Sequence, residues 1–115
     1  MGDRTALLRN KPPSLVALYV DLERALSRYR GVEIVTKDRY ALFRTTRIFA
    51  DLVFMRDALR LAIHLSRAVA DPRFFKVVHG DTGRVAHVTK LHDRAGLDAI
   101  LPYLKEAYDF AQRDG

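Results

Sequence analysis

The chain has 115 residues, 49% hydrophobic and 30% charged, which is typical of one globular domain and excludes a disordered or low-complexity chain. It contains no cysteine, which excludes disulfide scaffolds, cysteine-ligated metal sites and cysteine nucleophiles. The net charge of +6 and the pI of about 10.0 favour anionic partners. There is no apolar run of membrane-spanning length and no signal-peptide core, so we expect a cytoplasmic protein without membrane contact.

A helix is predicted after a polar start. Residues 1–13 are largely polar and end in two prolines, so we expect a flexible tail there. Ser14 is a residue type that caps helices and Gly31 is a type that ends them, which places the first helix between them. Apolar residues recur at helical spacing along this segment: Leu15, Leu18, Tyr19, Leu22, Leu26 and Tyr29.

Four short segments rich in β-branched and aromatic residues follow, with tight polar breaks between them. Short connections favour an antiparallel meander. In the last segment, leucine and isoleucine alternate with Arg60, Ala62 and His64, so one face of the sheet is expected to contact helices. The predicted strands are Val32–Thr36, Tyr40–Thr45, Arg47–Phe54 and Leu59–Leu65.

A loop and a hairpin are predicted next. Phe74 and Phe75 follow an Asp-Pro turn, and we interpret them as a plug under a loop. The Gly-Asp-Thr-Gly turn at residues 80–83 joins strands at Lys76–His79 and Arg84–Leu91. The register of that turn would set His87 opposite Lys76.

A C-terminal helix completes the predicted fold. Asp93 can cap it, and its apolar stripe keeps its phase across Pro102, which favours one kinked helix. The expected architecture is a single α+β domain over residues 14–112. It has an N-terminal helix, an antiparallel β-meander plus hairpin, and a C-terminal helix packed on one sheet face.

Catalytic and metal-binding motifs are missing from the sequence. His79, His87 and His92 are close in the chain but lack metal-ligand spacing, and no serine stands in a nucleophile elbow. The Gly-Asp-Thr-Gly turn lacks the lysine of a phosphate loop. We therefore expect no metal, no cofactor and no catalytic residue. An enzyme would have to use His64 or His87 as a lone general base.

The candidate binding site is basic. Strand alternation predicts Arg47, Arg60 and His64 on the sheet face opposite the helices, with Lys37 and Arg39 at the start of the second strand. Guanidinium groups bind phosphate or carboxylate bidentately, and an imidazole adds a pH-dependent donor. The alternative is that these residues only solvate an exposed sheet face.

Aromatic residues are interspersed with this basic set: Tyr40, Phe43, Phe49 and Phe54. On a surface that binds single strands, aromatic rings stack on bases while basic groups follow the backbone. The alternative is that these rings belong to the core.

A series of short motifs resembles a bacterial family of small domains of unknown function, some members of which are labelled predicted transport proteins. The motifs are Val35–Phe43, Arg47–Ala50, Asp71–Phe74, Ala86–Val88 and Leu104–Tyr108. The resemblance spans about residues 14 to 110 and implies one compact αβ domain, without an activity, cofactor or catalytic residue to carry over.

Two details of the resemblance bear on the candidate site. Family members often have a second histidine where this chain has Val88, which argues against a metal or a histidine pair. The basic pattern at Lys37, Arg39 and Arg47 is retained, which favours anion binding.

The leading hypothesis is a non-catalytic module that binds an anionic small molecule or nucleic acid through Lys37, Arg39, Arg47, Arg60 and His64. The alternative is a protein-interaction domain that forms a homodimer through the second sheet face around Phe49, Val53 and Ala62.

Overall fold

The computed structural model describes residues 2–113, which form three helices and six strands. The strands make one sheet in the order β1-β2-β3-β4-β6-β5, and every neighbouring pair is antiparallel. The predicted α+β fold is confirmed. The elements are α1 (Gly2–Leu8), α2 (Pro13–Ser27), β1 (Glu33–Thr36), β2 (Tyr40–Arg44), β3 (Ile48–Phe54), β4 (Leu59–Leu65), β5 (Lys76–His79), β6 (Val85–Leu91) and α3 (Arg94–Arg113).

The helices cover one face of the sheet, called the helix face below. On β4 this face carries Leu59, Leu61, Ile63 and Leu65, all fully buried, as the alternation predicts. The apolar stripe of α3 packs on β3 and β4. The core is thus one layer between the sheet and the helices.

The N-terminal segment is more structured than its sequence suggests. Where a tail was predicted, residues 2–8 are helical, and Leu7 is buried in the core. Arg4 of α1 makes a two-point ion pair with Glu23 of α2, with contacts of 2.8 and 3.1 Å. The predicted cap at Ser14 is wrong: α2 already begins at Pro13, because the fixed φ of proline suits the first helical position.

A β-bulge in β3 turns one aromatic residue towards the helices. Phe43 pairs with Ala50 but Arg44 pairs with Ile48, so Phe49 is an extra residue in its strand. Its side chain is fully buried, and its ring centroid is 5.9 Å from that of Tyr108 on α3. The expectation that Phe49 lies on the second sheet face is therefore wrong.

The β5–β6 hairpin forms where predicted but in a different register. His79 pairs with Val85 and Val77 pairs with His87, so the expected pairing of His87 with Lys76 is off by one residue. The turn needs five residues rather than four. The Gly80 N–H donates to the Arg84 carbonyl, and Gly83 takes a left-handed conformation with φ +76°.

The C-terminal helix begins and continues as predicted. The Asp93 carboxylate accepts a hydrogen bond from the Gly96 N–H at 2.9 Å, which satisfies one free donor of the first turn. The helix runs through Pro102 without a break. The Tyr108 hydroxyl donates to the Arg30 carbonyl, which ties α3 to the segment after α2.

Candidate functional site

The face of the sheet opposite the helices, called the open face below, is not covered by any of the three helices of residues 2–113. It carries the alternate residues of the strands, such as Leu42, Asp51, Ala62 and Val88, which form one row across four strands. Of the five large hydrophobic residues exposed within residues 2–113, four lie on or beside this face: Tyr40, Val53, Phe75 and Val78.

Two cations lie directly opposite each other on the open face. Arg60 of β4 pairs in register with Lys90 of β6. Like charges in this position destabilise a sheet. Within residues 2–113, no carboxylate is close enough to either side chain to form an ion pair. The positive charge of this pair is therefore available to an anion from outside the domain.

Two exposed aromatic residues flank the Arg60–Lys90 pair. Tyr40 pairs with Val53, which pairs with Arg60, so the three residues lie in one row across β2, β3 and β4. On the other side, the Lys90 ammonium is 5.3 Å from the ring centroid of Phe75. Tyr40 is 39% exposed and Phe75 is 54% exposed. Strand spacing puts Tyr40 about 14 Å from Lys90.

Three other predicted site residues lie on or near the open face, but they are not all at the same end of the strands. Lys37 and Arg39 are exposed in the β1–β2 turn, next to Tyr40. His64 is four residues beyond Arg60 on β4, about 14 Å away. Its Nε2 atom is 3.3 Å from Oδ2 of Asp51, so its nearest charged group is a carboxylate.

Arg47 lies elsewhere. It is the last residue of the β2–β3 turn, at the far end of β2 from Lys37 and Arg39, and its guanidinium donates to the carbonyl of Phe110 at 3.3 Å. The guanidinium also stacks on the Phe110 ring, 4.4 Å from the centroid. The C-terminal end of a helix attracts cations, which explains this position. The structure thus does not bring Arg47 together with Arg60 and His64.

The aromatic residues divide between the two faces. Phe43 and Phe49 are fully buried, and Phe54 packs against Tyr19 of α2, so these three belong to the core. Tyr40 alone among the four predicted aromatic residues is on the open face. Phe75, predicted as a plug with Phe74, is exposed; only Phe74 is buried under the loop, against His87 and Tyr103.

Sequence reasoning missed Lys90 and Phe75 as parts of this surface. Lys90 lies between Thr89 and Leu91, which are both buried, so strand alternation in the sequence is enough to predict which face of the sheet Lys90 is on. Its position opposite Arg60 depends on pairing between β4 and β6, which are not consecutive in the chain.

A family model described as a domain of unknown function (DUF5655) matches residues 5–111. The chain belongs to this family. The match includes every strand and most of each helix of the DUF5655 domain, so the open face lies wholly within it. The expected resemblance to a family of domains of unknown function is confirmed. No curated protein and no solved structure matches the chain.

His87 of the DUF5655 domain has a structural role. It is fully buried, its Nε2 atom accepts a hydrogen bond from the Val69 N–H at 2.9 Å, and its Nδ1–H donates to the Val85 carbonyl at 2.9 Å. Both ring nitrogens are therefore used inside the domain, with the proton on Nδ1. His87 fixes the loop after β4 to β6 and has no free nitrogen for a substrate.

Residues 2–113 contain no cluster of three or more histidine, aspartate or glutamate side chains that could hold a metal ion. No helix within the same residues combines the length and apolar character needed to cross a membrane.

Proposed function

We propose that this DUF5655 domain is a non-catalytic module that binds an anionic ligand on its open face, centred on the Arg60–Lys90 pair. The observation that carries the proposal is that these two cations are adjacent and have no carboxylate partner within residues 2–113. A sheet gains nothing in stability from such a pair. A bound phosphate between the two side chains would convert this repulsion into two favourable contacts.

The ligand class favoured by the surface is single-stranded nucleic acid. Sites for small molecules are concave, whereas the open face is a sheet surface without a covering element. Tyr40 and Phe75 offer exposed rings on either side of the two cations. Rings on both sides of a pair of cations suit a strand whose bases stack while its phosphates bind the basic groups.

The other basic residues extend the proposed site. Lys37 and Arg39 would contact phosphates beyond Tyr40, since both are exposed in the adjoining turn. His64 would lie at the far end of the proposed site on β4, where its Nε2 atom is 3.3 Å from Oδ2 of Asp51. Arg47 is left out of the proposed site because α3 binds its guanidinium.

The test measures binding of a fluorescent single-stranded DNA of mixed sequence by anisotropy at several salt concentrations. Arg60→Gln combined with Lys90→Gln should weaken binding. It should also reduce the steepness of the slope of log K against log salt by about 1.4, because each lost phosphate contact contributes about 0.7 to that slope. The matched control is Arg24→Gln with Arg28→Gln, which removes the same charge from the helical layer. Equal slopes for wild type and the open-face variant would refute the proposal.

The aromatic contribution is tested separately. Tyr40→Leu and Phe75→Leu keep apolar bulk but remove the rings, so each should cost about 1–3 kcal/mol of binding free energy if it stacks on a base. Val78→Ala is the control, because Val78 is also exposed on the open face but has no ring. Unchanged affinity in both leucine variants would leave a purely electrostatic site for phosphates.

A second candidate function is self-association through the same face. It is favoured by the four large hydrophobic residues that this face exposes. Sedimentation velocity over a hundredfold range of concentration tests it. A dimer should dissociate in Val53→Lys, since Val53 lies near the middle of the surface and would bring a charge into the interface. A monomer at every concentration would exclude this candidate.

A further inference from the structure

A cleft between α2 and α3 lies on the helical layer, away from the open face. The two helices run in the same direction: Arg94, at the start of α3, pairs with Asp21 at 3.3 Å, and Tyr108, near its end, bonds to Arg30. Between these contacts the helices leave a space of about 200 Å³. The cleft is lined by Asp21, Arg24, Ala25, Arg28, Arg94 and Leu101.

Two arginines on one wall of the cleft have no carboxylate partner. Arg24 is in the last turn of α2 and Arg28 caps that helix, so the two side chains, four residues apart, are neighbours on one wall of the cleft. Within residues 2–113, neither forms an ion pair. As with the Arg60–Lys90 pair, two adjacent cations remain free to bind an external anion.

The opposite wall carries a third arginine that is already fixed in position. Arg94 donates from Nε to Asp98 at 2.8 Å, and its Nη1 atom is 3.3 Å from Asp21. Its hydrogen bond to Asp98 raises the pKa of its guanidinium, which stays charged. These two carboxylates orient Arg94 beside the cleft, so a ligand need not order that side chain on binding.

The size and lining of the cleft restrict the ligand. Its volume is below the range of about 300–1,000 Å³ typical of sites for drug-sized molecules, so the ligand is small. Ala25 and Leu101 supply an apolar surface beside the charged groups. The lining has three arginines and one aspartate, and Asp98 binds Arg94 from beside the cleft, so a net positive charge remains that favours an anion.

We propose that the α2–α3 cleft is a separate site for a small phosphate monoester, with the phosphate between Arg24, Arg28 and Arg94 and the organic part on Ala25 and Leu101. A phosphate monoester has a charge of about −1.5 to −2 at pH 7 and three terminal oxygens that accept hydrogen bonds. Guanidinium groups match these oxygens well. The site does not depend on the function proposed for the open face.

The experiment titrates the full chain with phenyl phosphate by isothermal calorimetry, and follows backbone amides by NMR to locate the site. We expect saturable binding with shifts at residues 21–28 and 94–101. Arg24→Gln with Arg28→Gln should weaken binding by about tenfold or more, because hydrogen bonds to charged groups are lost. Arg9→Gln with Arg56→Gln, which removes the same charge from exposed residues outside both proposed sites, serves as the control and should leave binding within about twofold.

Further probes separate the parts of the proposal. Arg24→Lys keeps the charge but removes the planar guanidinium that can donate two parallel hydrogen bonds, so it should cause an intermediate loss of affinity. Inorganic phosphate should bind more weakly than phenyl phosphate because it lacks the apolar part, and phenol should not bind because it lacks the charge. Thermal unfolding of each variant checks that it is folded.

Several results would overturn the proposal. These are no saturable binding of phenyl phosphate below about 10 mM, equal weakening by the control variant, or equal binding of phenol. Weaker DNA binding in the open-face variant, together with weaker phenyl phosphate binding in the Arg24→Gln, Arg28→Gln variant, would support two independent sites. Loss of phenyl phosphate binding in the open-face variant but not in the Arg24→Gln, Arg28→Gln variant would remove the cleft and retain the open face.

Discussion

The two faces of the sheet are built from alternate residues of the same strands, yet different interactions dominate each. Leu61 on the helix face is fully buried, whereas its neighbour Arg60 points to the open face opposite Lys90. Burying a large apolar side chain stabilises a protein by about 1.5–3 kcal/mol, while an exposed charge contributes about 0–1 kcal/mol. The helix face therefore supplies the stability, and the open face can keep unfavourable charge contacts.

The strongest test of this contrast is a pair of substitutions on neighbouring strands. Leu61→Ala should lower the free energy of unfolding by about 2–5 kcal/mol, because it leaves a cavity in the core. Val53→Thr, on the open face, should change it by less than about 0.5 kcal/mol. Urea denaturation measures both, and comparable losses would show that the open face is also covered in solution.

Histidines on the two faces provide the next test. His87→Ala should cost about 1–3 kcal/mol, because the partly buried Val69 N–H loses its acceptor and the fully buried imidazole is removed from the core. His64→Ala should cost less than about 1 kcal/mol, because it breaks only a partly exposed pair with Asp51. If His64→Ala were the more damaging change in urea denaturation, the division of roles between the faces would be wrong.

A smaller effect is expected in the opposite direction. Lys90→Glu should raise the free energy of unfolding by about 0.2–1 kcal/mol, because it replaces a repulsive pair with an ion pair to Arg60. The same change should weaken DNA binding. Lys76→Glu serves as the control, since Lys76 faces Val88 rather than a charge. A destabilised Lys90→Glu variant would mean that the two cations do not repel in the folded domain.

The smallest effect is confined to acidic pH. The pKa of Asp71 is lowered by the N–H of Arg73, with further hydrogen bonds from the Tyr103 hydroxyl and the Arg73 side chain. This stabilisation is complete above the usual aspartate pKa of about 4 and is lost as the pH falls further. On acidification, the melting temperature of Asp71→Asn should fall less than that of the wild-type protein. Parallel pH profiles of the two melting temperatures would argue against these hydrogen bonds.

Local patterns in the sequence were sufficient for the strands and the helix face. In β4, alternation alone identified which side chains are buried, because a strand has a period of two. The Asp93 cap was readable for a similar reason, since capping depends on residues three positions apart. Interactions of this range are encoded within a few consecutive residues.

The candidate site was only partly predictable because it depends on pairing between distant segments. Regular strand alternation predicts Arg47 on the open face. The bulge at Phe49 shifts that alternation by one residue, and no glycine in the strand marks the bulge in the sequence. The Arg60–Lys90 pair requires the β4–β6 register, and the α2–α3 cleft requires the relative position of two helices. Neither is specified by local periodicity.

The position of β5 at the edge of the sheet has a consequence for dynamics. All four of its residues are exposed, and among the strands of residues 2–113 it pairs with β6 alone. Because β6 lies between β5 and β4, β5 can detach without exposing the core, and such weakly packed segments open at low free-energy cost. Phe75 immediately precedes this strand, so local opening would move one aromatic ring of the open face while Tyr40 and the two cations stay fixed.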